Sequence, residues 1–492
     1  MDRCLMPCLR CRTKIVCTLG PACEERTIIR DMIEAGMAVA RINFSHGTYE
    51  EHGRRISLCR AIAQELGVTI GILADLQGPK FRIGSFAEGR VNLRIGQDFT
   101  LTLESIPGNK TRVHVPHPEV LAAVSRGSHI LLGDGDIELV ATDTHETEVH
   151  CQVVVGGVLA SHKGITVPGV HVHVPAITNK DRADLAFALE QSVDFVAMSF
   201  VQEAKDVDSL RHLIQERGED TPIIAKIERS HALDEFDDIL ASADGIMVAR
   251  GDLGLEVPAE EVPIHQKMLI SKSRAAGKPV ITATQMLESM MANPRPTRAE
   301  ASDVANAILD GSDAVMLSGE TAAGKYPVAA VRMMQRIAQV TEEHLPYREW
   351  AHQMYVLASG SVTEAITQAT SEISTDLGAR AIIAATMSGW TARMVAKTRP
   401  RAPIIAVTPS QEVLGRLSLV WGVAPLLVPH YDSTDAMTVG GVAAARQRGL
   451  VQDEDLVVLT AGVPLGGPGR TNMIRVHRVG EVTQLASTEA SI

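Results

Sequence analysis

The chain has no apolar run approaching the length of a membrane span. Its N-terminus lacks the long apolar stretch of a secretory leader. Positive charge is in deficit. Lys and Arg number 47 against 59 Asp and Glu, a net charge of −12, which argues against non-specific nucleic-acid binding. Aromatic residues are scarce at 3%, although the 45% hydrophobic content is ordinary for a soluble globular protein. Cysteine shows no pairing pattern. Seven are scattered (Cys4, Cys8, Cys11, Cys17, Cys23, Cys59 and Cys151), an odd set that reads as reduced thiols. Cys4, Cys8 and Cys11 have a C-x3-C-x2-C spacing that resembles the ligand set of radical iron–sulfur enzymes. They lie in a short tail with no matching cofactor site elsewhere, so the tail is read as carrying no cluster. These absences point to the cytoplasm.

What is present is organised around residues 222–256. Two apolar runs, Ile223-Ile224-Ala225 and Gly245-Ile246-Met247-Val248-Ala249, read as buried parallel strands joined by a helix over 230–241. The first ends in Lys226-Ile227-Glu228 and the second in Arg250-Gly251-Asp252. Carboxyl ends of parallel strands are where α/β folds place their chemistry. Glu228 and Asp252 are hard oxygen ligands suited to Mg²⁺ or Mn²⁺. Lys226 alternates with Glu228 and shares its face. The turn Gly251-Asp252-Leu253-Gly254 opens a short helix whose free N–H groups favour an anion. A metal, an amine and an anion-binding turn suit phosphoryl transfer or enolate stabilisation. The plain alternative is a Lys–Glu ion pair at a strand end.

At 492 residues the chain expects two to four domains. Strands at 13–19, 38–44, 69–75, 194–199, 223–228, 245–249, 279–284 and 313–317 alternate with helices at 24–35, 49–66, 180–191, 203–217, 299–309 and 327–344. Eight parallel strands predict a TIM (β/α)8 barrel over 13–78 and 176–345, preceded by a tail at 1–12. Between the halves, 79–175 carries short alternating runs punctuated by Gly and Pro with no helical period. It reads as an inserted all-β lid. Charged and hydroxylated residues gather at the strand ends: Arg41, Asn43, Asp75, Lys226, Glu228, Asp252, Thr284, Ser318 and Glu320. Residues 346–360 read as a linker, opening a C-terminal α/β unit over 346–492. Its strands are expected at 381–384, 404–407, 424–428 and 456–459. Two of its loops could hold a phosphate, Thr386–Thr391 and the glycine-rich Gly462–Gly469; both also read as plain turns.

With these motifs in place, the chain resembles the pyruvate kinase family over about 13–480. The resemblance rests on TKIVCTLGPA at 13–22, ARINFSHG at 40–47, LADLQGPKFRIG at 73–84, AKIER at 225–229, ARGDLGLE at 249–256, ATQMLESM at 283–290, NPRPTRAEASDVANA at 293–307 and MLSGETAAGKYP at 316–327. It implies a homotetramer that transfers phosphate from phosphoenolpyruvate to ADP, giving pyruvate and ATP, and that answers an effector in its C-terminal domain. It implies that Glu228 and Asp252 hold Mg²⁺. Lys226 and Arg41 would neutralise the transferring phosphoryl group, and the amides around Arg250, Gly251 and Asp252 would take the carboxylate. Thr284 would position the enolate proton. Nucleotide contacts would come from Asn43, His46, Arg82, Asp134 and Lys163. The effector would meet Thr386, Ser388, Gly389, Thr391 and Gly469.

The sequence departs from much of the family in one motif. Many members need K⁺, held at positions matching Asn43, Ser45, Asp75 and the carbonyl of Leu76. Those members usually carry Thr-Lys after the Asp and Glu after Gly-Pro. Here Leu76-Gln77 and Lys80 stand instead, resembling a K⁺-independent branch. The Lys80 ammonium would supply the missing positive field, so K⁺ is expected to be dispensable. A basic cluster for a bisphosphate is not evident, with Arg470 and Lys397 the nearest cations. A sugar monophosphate or AMP is therefore the favoured effector. Two other functions share parts of this pattern. A metal-dependent barrel lyase acting on phosphoenolpyruvate or pyruvate enolates would need no lid. A catalytically dead effector-binding relative would not retain Lys226, Glu228, Asp252 and Thr284.

Overall fold

A computed structural model describes residues 11–170, 172, 174–356, 360–465 and 469–481. Eight strands close a parallel barrel: Lys14–Thr18, Met37–Asn43, Gly71–Asp75, Phe195–Met198, Ile223–Ile227, Gly245–Ala249, Val280–Ala283 and Ala314–Leu317. They are short, rich in Ile, Val and Ala, and buried along almost their whole length, as strands covered on both faces must be. Each is followed by helices that cover the outside. Several of those helices start at a threonine whose hydroxyl accepts the N3 amide: Thr48 before Tyr49–Leu66, Thr178 before Asn179–Glu190 and Thr297 before Arg298–Leu309.

The barrel interior is filled by Val16, Val39, Leu73, Phe195, Ile224, Met247, Ile281 and Met316, joined by Leu419 from the C-terminal unit. Leu419 seals the end of the barrel where the strands begin. Beside it the buried Lys14 Nζ donates to the carbonyl of Val423 at 2.7 Å. A second tie is Arg399, whose guanidinium pairs with Asp313 at 2.9 Å, donates to Gly311 O at 2.6 Å and lies 4.9 Å from the Trp421 ring.

The segment between the third and fourth barrel strands forms a six-stranded and a two-stranded sheet around its own core. It is not purely β. Pro118–Ala123 is a helix, with Pro at its first position and Val120 and Leu121 buried, too short for a periodicity to stand out. The stretch 230–241 is two helices, His231–Asp234 and Phe236–Ser242, broken at Glu235. The expected linker at 346–360 is instead largely the helix Tyr347–Val356. Trp350 packs into the barrel core and lies 5.0 Å from the Arg274 guanidinium. Helix Val262–Ala275, its apolar and charged residues finely mixed, was not expected.

The C-terminal sheet has five strands, Val423–Leu427, Ile404–Thr408, Ala381–Ala385, Leu456–Ala461 and Met473–Arg478 in spatial order. The first four are parallel. Met473–Arg478, which was not expected as a strand although its residues alternate, adds antiparallel at the edge. Among the described residues no helix is long and apolar enough to cross a membrane. Cys4 and Cys8 lie outside the described residues, and the Cys11 thiol is buried against Thr13 O.

Arg399 carries a testable consequence. Its side chain is only 1% exposed, and Asp313 is 7% exposed. Removing one member of such a pair strands the other charge, a cost of roughly 3–5 kcal/mol. Arg399→Met should lower the urea midpoint accordingly. A loss under about 1 kcal/mol would mean the pair is not a structural clamp.

Candidate active site

The carboxyl ends of the barrel strands bring the predicted charges together. Asp75 ends the third strand, and Arg41 lies two positions back on its neighbour, in the register that pairs Asn43 with Asp75. Arg41 Nε donates to Asp75 Oδ2 at 2.6 Å and its Nη1 to Thr18 Oγ1 at 2.8 Å. Lys226 Nζ lies 3.3 Å from Asp75 Oδ1 and 2.9 Å from Glu228 Oε1, and donates to Ser199 Oγ at 2.7 Å. Ser199 Oγ donates in turn to the carbonyl of Leu76 at 2.7 Å. Two cations and two carboxylates thus form one chain, with the Asp75 and Glu228 side chains each 1% exposed.

The electrostatics follow from this burial. Burial alone would push Asp75 up, but Lys226 and Arg41 outweigh it and hold the carboxyl below its ordinary range. Burial alone would push Lys226 down. Asp75 and Glu228 outweigh it and hold the ammonium above the usual lysine value, despite Arg41 nearby. Glu228 goes the other way. Burial raises it, and the charge of Asp252 adds to that rise against the pull of Lys226. Glu228 Oε2 also accepts the N–H of Phe200 at 2.7 Å. A divalent cation fits this donor set. The charge of Asp252 adds to the cost of ionising Glu228, which a cation held by both would relieve, and two carboxylates leave positions open for substrate oxygens. Among the described residues no group of three His, Cys, Asp or Glu side chains could hold a metal, so the remaining ligands must come from outside the side chains of this set.

Beside the cluster, Arg250–Glu256 is the short helix anticipated from its glycines. The Gly251 N–H donates to Thr284 Oγ1 at 2.7 Å, and Thr284 Oγ1 donates to Ala283 O at 2.6 Å. Thr284 and Gln285 both have positive φ, +67° and +55°, a strained turn that aims the hydroxyl at the helix N-terminus. Arg250 points away from the cluster, pairing with Asp303 at 2.7 Å and donating to Thr284 O at 2.7 Å. Glu320, expected on the reactive face, is 3% exposed and accepts the amides of Leu287 and Ser318, a structural cap.

The other candidates divide. His46 feels Arg82, Lys80 and Arg41 together. Burial first, then those three cations, lower its pKa. Asn43 Oδ1 is occupied by the Ser45 amide at 3.1 Å. Asp134 and Lys163 face each other across 3.8 Å on the exposed surface of the inserted domain. A Cβ on Gly135, next to Asp134, would lie 3.0 Å from Leu255, so this loop reaches the helix that carries Asp252.

In the C-terminal unit, Thr386, Ser388, Thr391, Gly469 and Arg470 line one pocket with Trp390. Gly389 caps helix Trp390–Lys397 at φ +82°. Thr391 Oγ1 lies 3.0 Å from Thr471 Oγ1. The buried Trp390 Nε1 has no partner among the described residues. Gly466, Gly467 and Pro468 of the facing loop lie outside those residues. Lys397 is not in this pocket. It pairs with Glu364 at 2.9 Å.

Sequence reasoning missed Ser199, Thr18 and Phe200, because a lone hydroxyl or aromatic at a strand end carries no pattern. It also missed Arg229 and Glu256. Both stood at the ends of quoted motifs, AKIER and ARGDLGLE, but their pairing is tertiary. Their side chains meet at 2.5 Å. The Arg229 guanidinium lies 5.0 Å from the Phe200 ring and 5.9 Å from Phe81, on the chain leaving for the inserted domain. Glu256 faces the N–H of Gly169, on the chain returning.

Comparisons with known proteins agree over most of the chain. The family described as "Pyruvate kinase, barrel domain" matches residues 10–331, and "Pyruvate kinase, alpha/beta domain" matches 364–477. A pyruvate kinase of Geobacillus stearothermophilus is 50% identical over 474 residues, 96% of this chain and 81% of that one. Pyruvate kinase 2 of Synechocystis is 48% identical, covering 95% and 79%. A crystal structure of a pyruvate kinase from Cryptosporidium parvum superposes with a TM-score of 0.91 at 37% identity, covering 96% of this chain and 97% of that one.

The Arg229–Glu256 pair joins both hinge strands of the inserted domain to the strand of Glu228 and the helix of Asp252. Glu256→Gln keeps the shape but removes the charge that Arg229 and Gly169 face. Amide exchange at Gly169 and its neighbours should then quicken about tenfold. Unchanged exchange in this variant would show that the pair does not restrain the hinge.

Proposed function

The chain belongs to the pyruvate kinase family, and from that premise we propose how its own residues carry the reaction. The reaction is transfer of the phosphoryl group of phosphoenolpyruvate to ADP, giving pyruvate and ATP. The observation that carries the assignment of residues is the buried chain Arg41–Asp75–Lys226–Glu228 at the mouth of the barrel.

Transfer of a phosphoryl group is catalysed by positioning and charge more than by covalent chemistry. Asp75 holds Arg41 and Lys226 in place, and their cationic ends neutralise the group as it leaves the enol oxygen. With transfer complete, the organic fragment is an enolate whose methylene carbon must gain a proton. Thr284 sits beside it and orients the proton donor. The Gly251 N–H, now on Thr284 Oγ1, turns to the substrate carboxylate with its neighbours at the helix N-terminus. Glu228 and Asp252 would hold the Mg²⁺ that the family generally uses, and the ion would supply positive charge that offsets the negative charge of the substrate. Arg82, Lys80 and His46 form the rim on which ADP is received, with Asp134 and Lys163 closing from the inserted domain.

The second part of the reading is that K⁺ is dispensable. Three of the oxygens that resemblance assigns to a monovalent ion already have protein donors. Asp75 has Arg41 and Lys226, Leu76 O has Ser199, and Asn43 Oδ1 has the Ser45 amide. The extra cation, Lys80, lies close enough to depress the pKa of His46. The third part concerns the effector. Among the described residues, Thr386, Ser388, Thr391 and the unpartnered Trp390 N–H supply neutral donors, and Arg470 is the only lysine or arginine lining that pocket. One phosphate with a hydroxylated body matches such a site, as in a sugar monophosphate or AMP.

Lys226→Met is the direct test of the catalytic assignment. Turnover should fall by about 10³-fold or more, while binding of phosphoenolpyruvate and metal survives. Turnover within about tenfold of the unmutated enzyme would remove Lys226 from the mechanism.

An assay in Mg²⁺ with only a bulky organic counter-ion should show full activity. Lys80→Glu should lower that activity and make it partly K⁺-responsive. Strong activation of the unmutated enzyme by K⁺ would overturn the monovalent-ion reading. The same assay separates the effectors. Glucose 6-phosphate, ribose 5-phosphate or AMP should activate, and activation by fructose 1,6-bisphosphate alone would refute the monophosphate.

A further inference from the structure

At the far end of the barrel from the site just described, a cleft of about 720 Å³ opens between the barrel and the C-terminal unit. Its walls come from four separated stretches. They are Arg12, just before the first barrel strand; 345–349, ahead of helix Tyr347–Val356; 374–380, at the end of helix Val362–Asp376; and 401–403. Each stretch contributes an arginine: Arg12, Arg348, Arg380 and Arg401. Among the described residues the one carboxylate in the lining is Glu349. In a chain of net charge −12, four cations against one anion around a single cleft is a local inversion.

The chemistry of these cations sets the cleft apart from an ordinary charged surface. Among the described residues, Arg348 and Arg380 make no ion pair or side-chain hydrogen bond, and the Arg401 guanidinium has none either. Arg12 is partly sheltered. It lies 5.8 Å from the Tyr347 ring and 3.7 Å from Glu342, and its Nε is buried without a partner. Arg12 is thus already compensated, since Glu342, which also accepts the backbone amides of Arg12 and Thr13 at 2.7–2.9 Å, pairs with its guanidinium and Arg401 O accepts its Nη2. Among the described residues the uncompensated cations of the cleft are Arg348, Arg380 and Arg401. The adjoining groove shares Arg12 and Arg401 and adds Glu342 and Glu343, so Arg348 and Arg380 are the cations that belong to this cleft and not to the groove. Like charges converging on a cleft repel one another and focus the field on whatever anion enters it. Guanidinium forks suit phosphate oxygens, and Tyr347, Leu345, Pro346 and Pro403 give an apolar floor for an organic body. The volume is that of a small-molecule site.

We infer that this cleft binds a small phosphorylated metabolite, at a site separate from both the catalytic mouth and the Thr386–Thr391 pocket. Its position makes it regulatory. A ligand there bridges Arg12 and Arg348 on the barrel side to Arg380 and Arg401 on the C-terminal side, across the same junction that Arg399 and Asp313 clamp.

Inorganic tripolyphosphate is the probe, titrated calorimetrically into the full chain without Mg²⁺ at low ionic strength. Three variants accompany the unmutated protein. Arg348→Glu with Arg380→Glu reverses the cleft. Arg90→Glu with Arg94→Glu makes the same charge change on the exposed surface of the inserted domain. Ser388→Glu repels phosphate from the other pocket. The cleft variant should bind at least about tenfold more weakly, with its catalytic activity in the absence of effectors unchanged. The other two should keep the unmutated affinity for this site. The inference is overturned if the unmutated chain binds no tripolyphosphate. It is also overturned if the cleft variant binds as well as the unmutated chain, or if the Arg90/Arg94 reversal weakens binding equally.

Discussion

Asp75 has a side chain 1% exposed at the end of a barrel strand, and it stays charged only because Arg41 and Lys226 converge on it. Either cation alone would leave a buried charge poorly compensated. With both, the carboxylate becomes the anchor that fixes two positive ends at the barrel mouth. Lys226 hands the network on to Glu228, and Ser199 hands it back to the carbonyl of Leu76. The chain of charges is preorganised, so little rearrangement is needed when an anionic substrate arrives. The rest of the architecture serves that preorganisation. The core of Ile, Val and Met holds the strands in register, and Leu419 and Arg399 brace the end of the barrel opposite the chemistry.

The inserted domain and the C-terminal unit are tied to this centre by different means. The inserted domain leaves after Gly78, whose amide is held by Asp181, and is gripped at its hinges by Arg229 and Glu256. Those two residues neighbour Glu228 in sequence and Asp252 on its helix, so movement of the domain and the geometry of the carboxylates are mechanically joined. The C-terminal unit is fixed by buried ionic contacts and plugs the barrel. That junction is rigid rather than a loose tether.

Much of this was legible in the residues. All eight barrel strands fall within one or two positions of where their apolar runs place them, because strands buried on both faces must be continuously apolar. Lys226 and Glu228 are two apart on a strand, and that spacing alone puts them on one face. What was hidden depends on contacts between distant segments. Ser199 and Thr18 matter only because the barrel closes beside Lys226 and Arg41. Glu320 looked like a reactive carboxylate, yet the fold uses it to cap two amides. Helix Tyr347–Val356 was hidden because Trp350 finds its partner, Arg274, about 75 positions away. Met473–Arg478 needs an existing sheet edge before it is a strand at all.

A crystal structure of the chain with Mg²⁺ and oxalate, an unreactive stand-in for the enolate of pyruvate, tests the central claim most directly. The account predicts the ion on Glu228 and Asp252, the oxalate against the Gly251 and Asp252 amides, and Lys226 Nζ still held by Asp75 while turned toward the ligand. An ion bound elsewhere, or Lys226 and Arg41 released from Asp75 with the ligand in place, would contradict it.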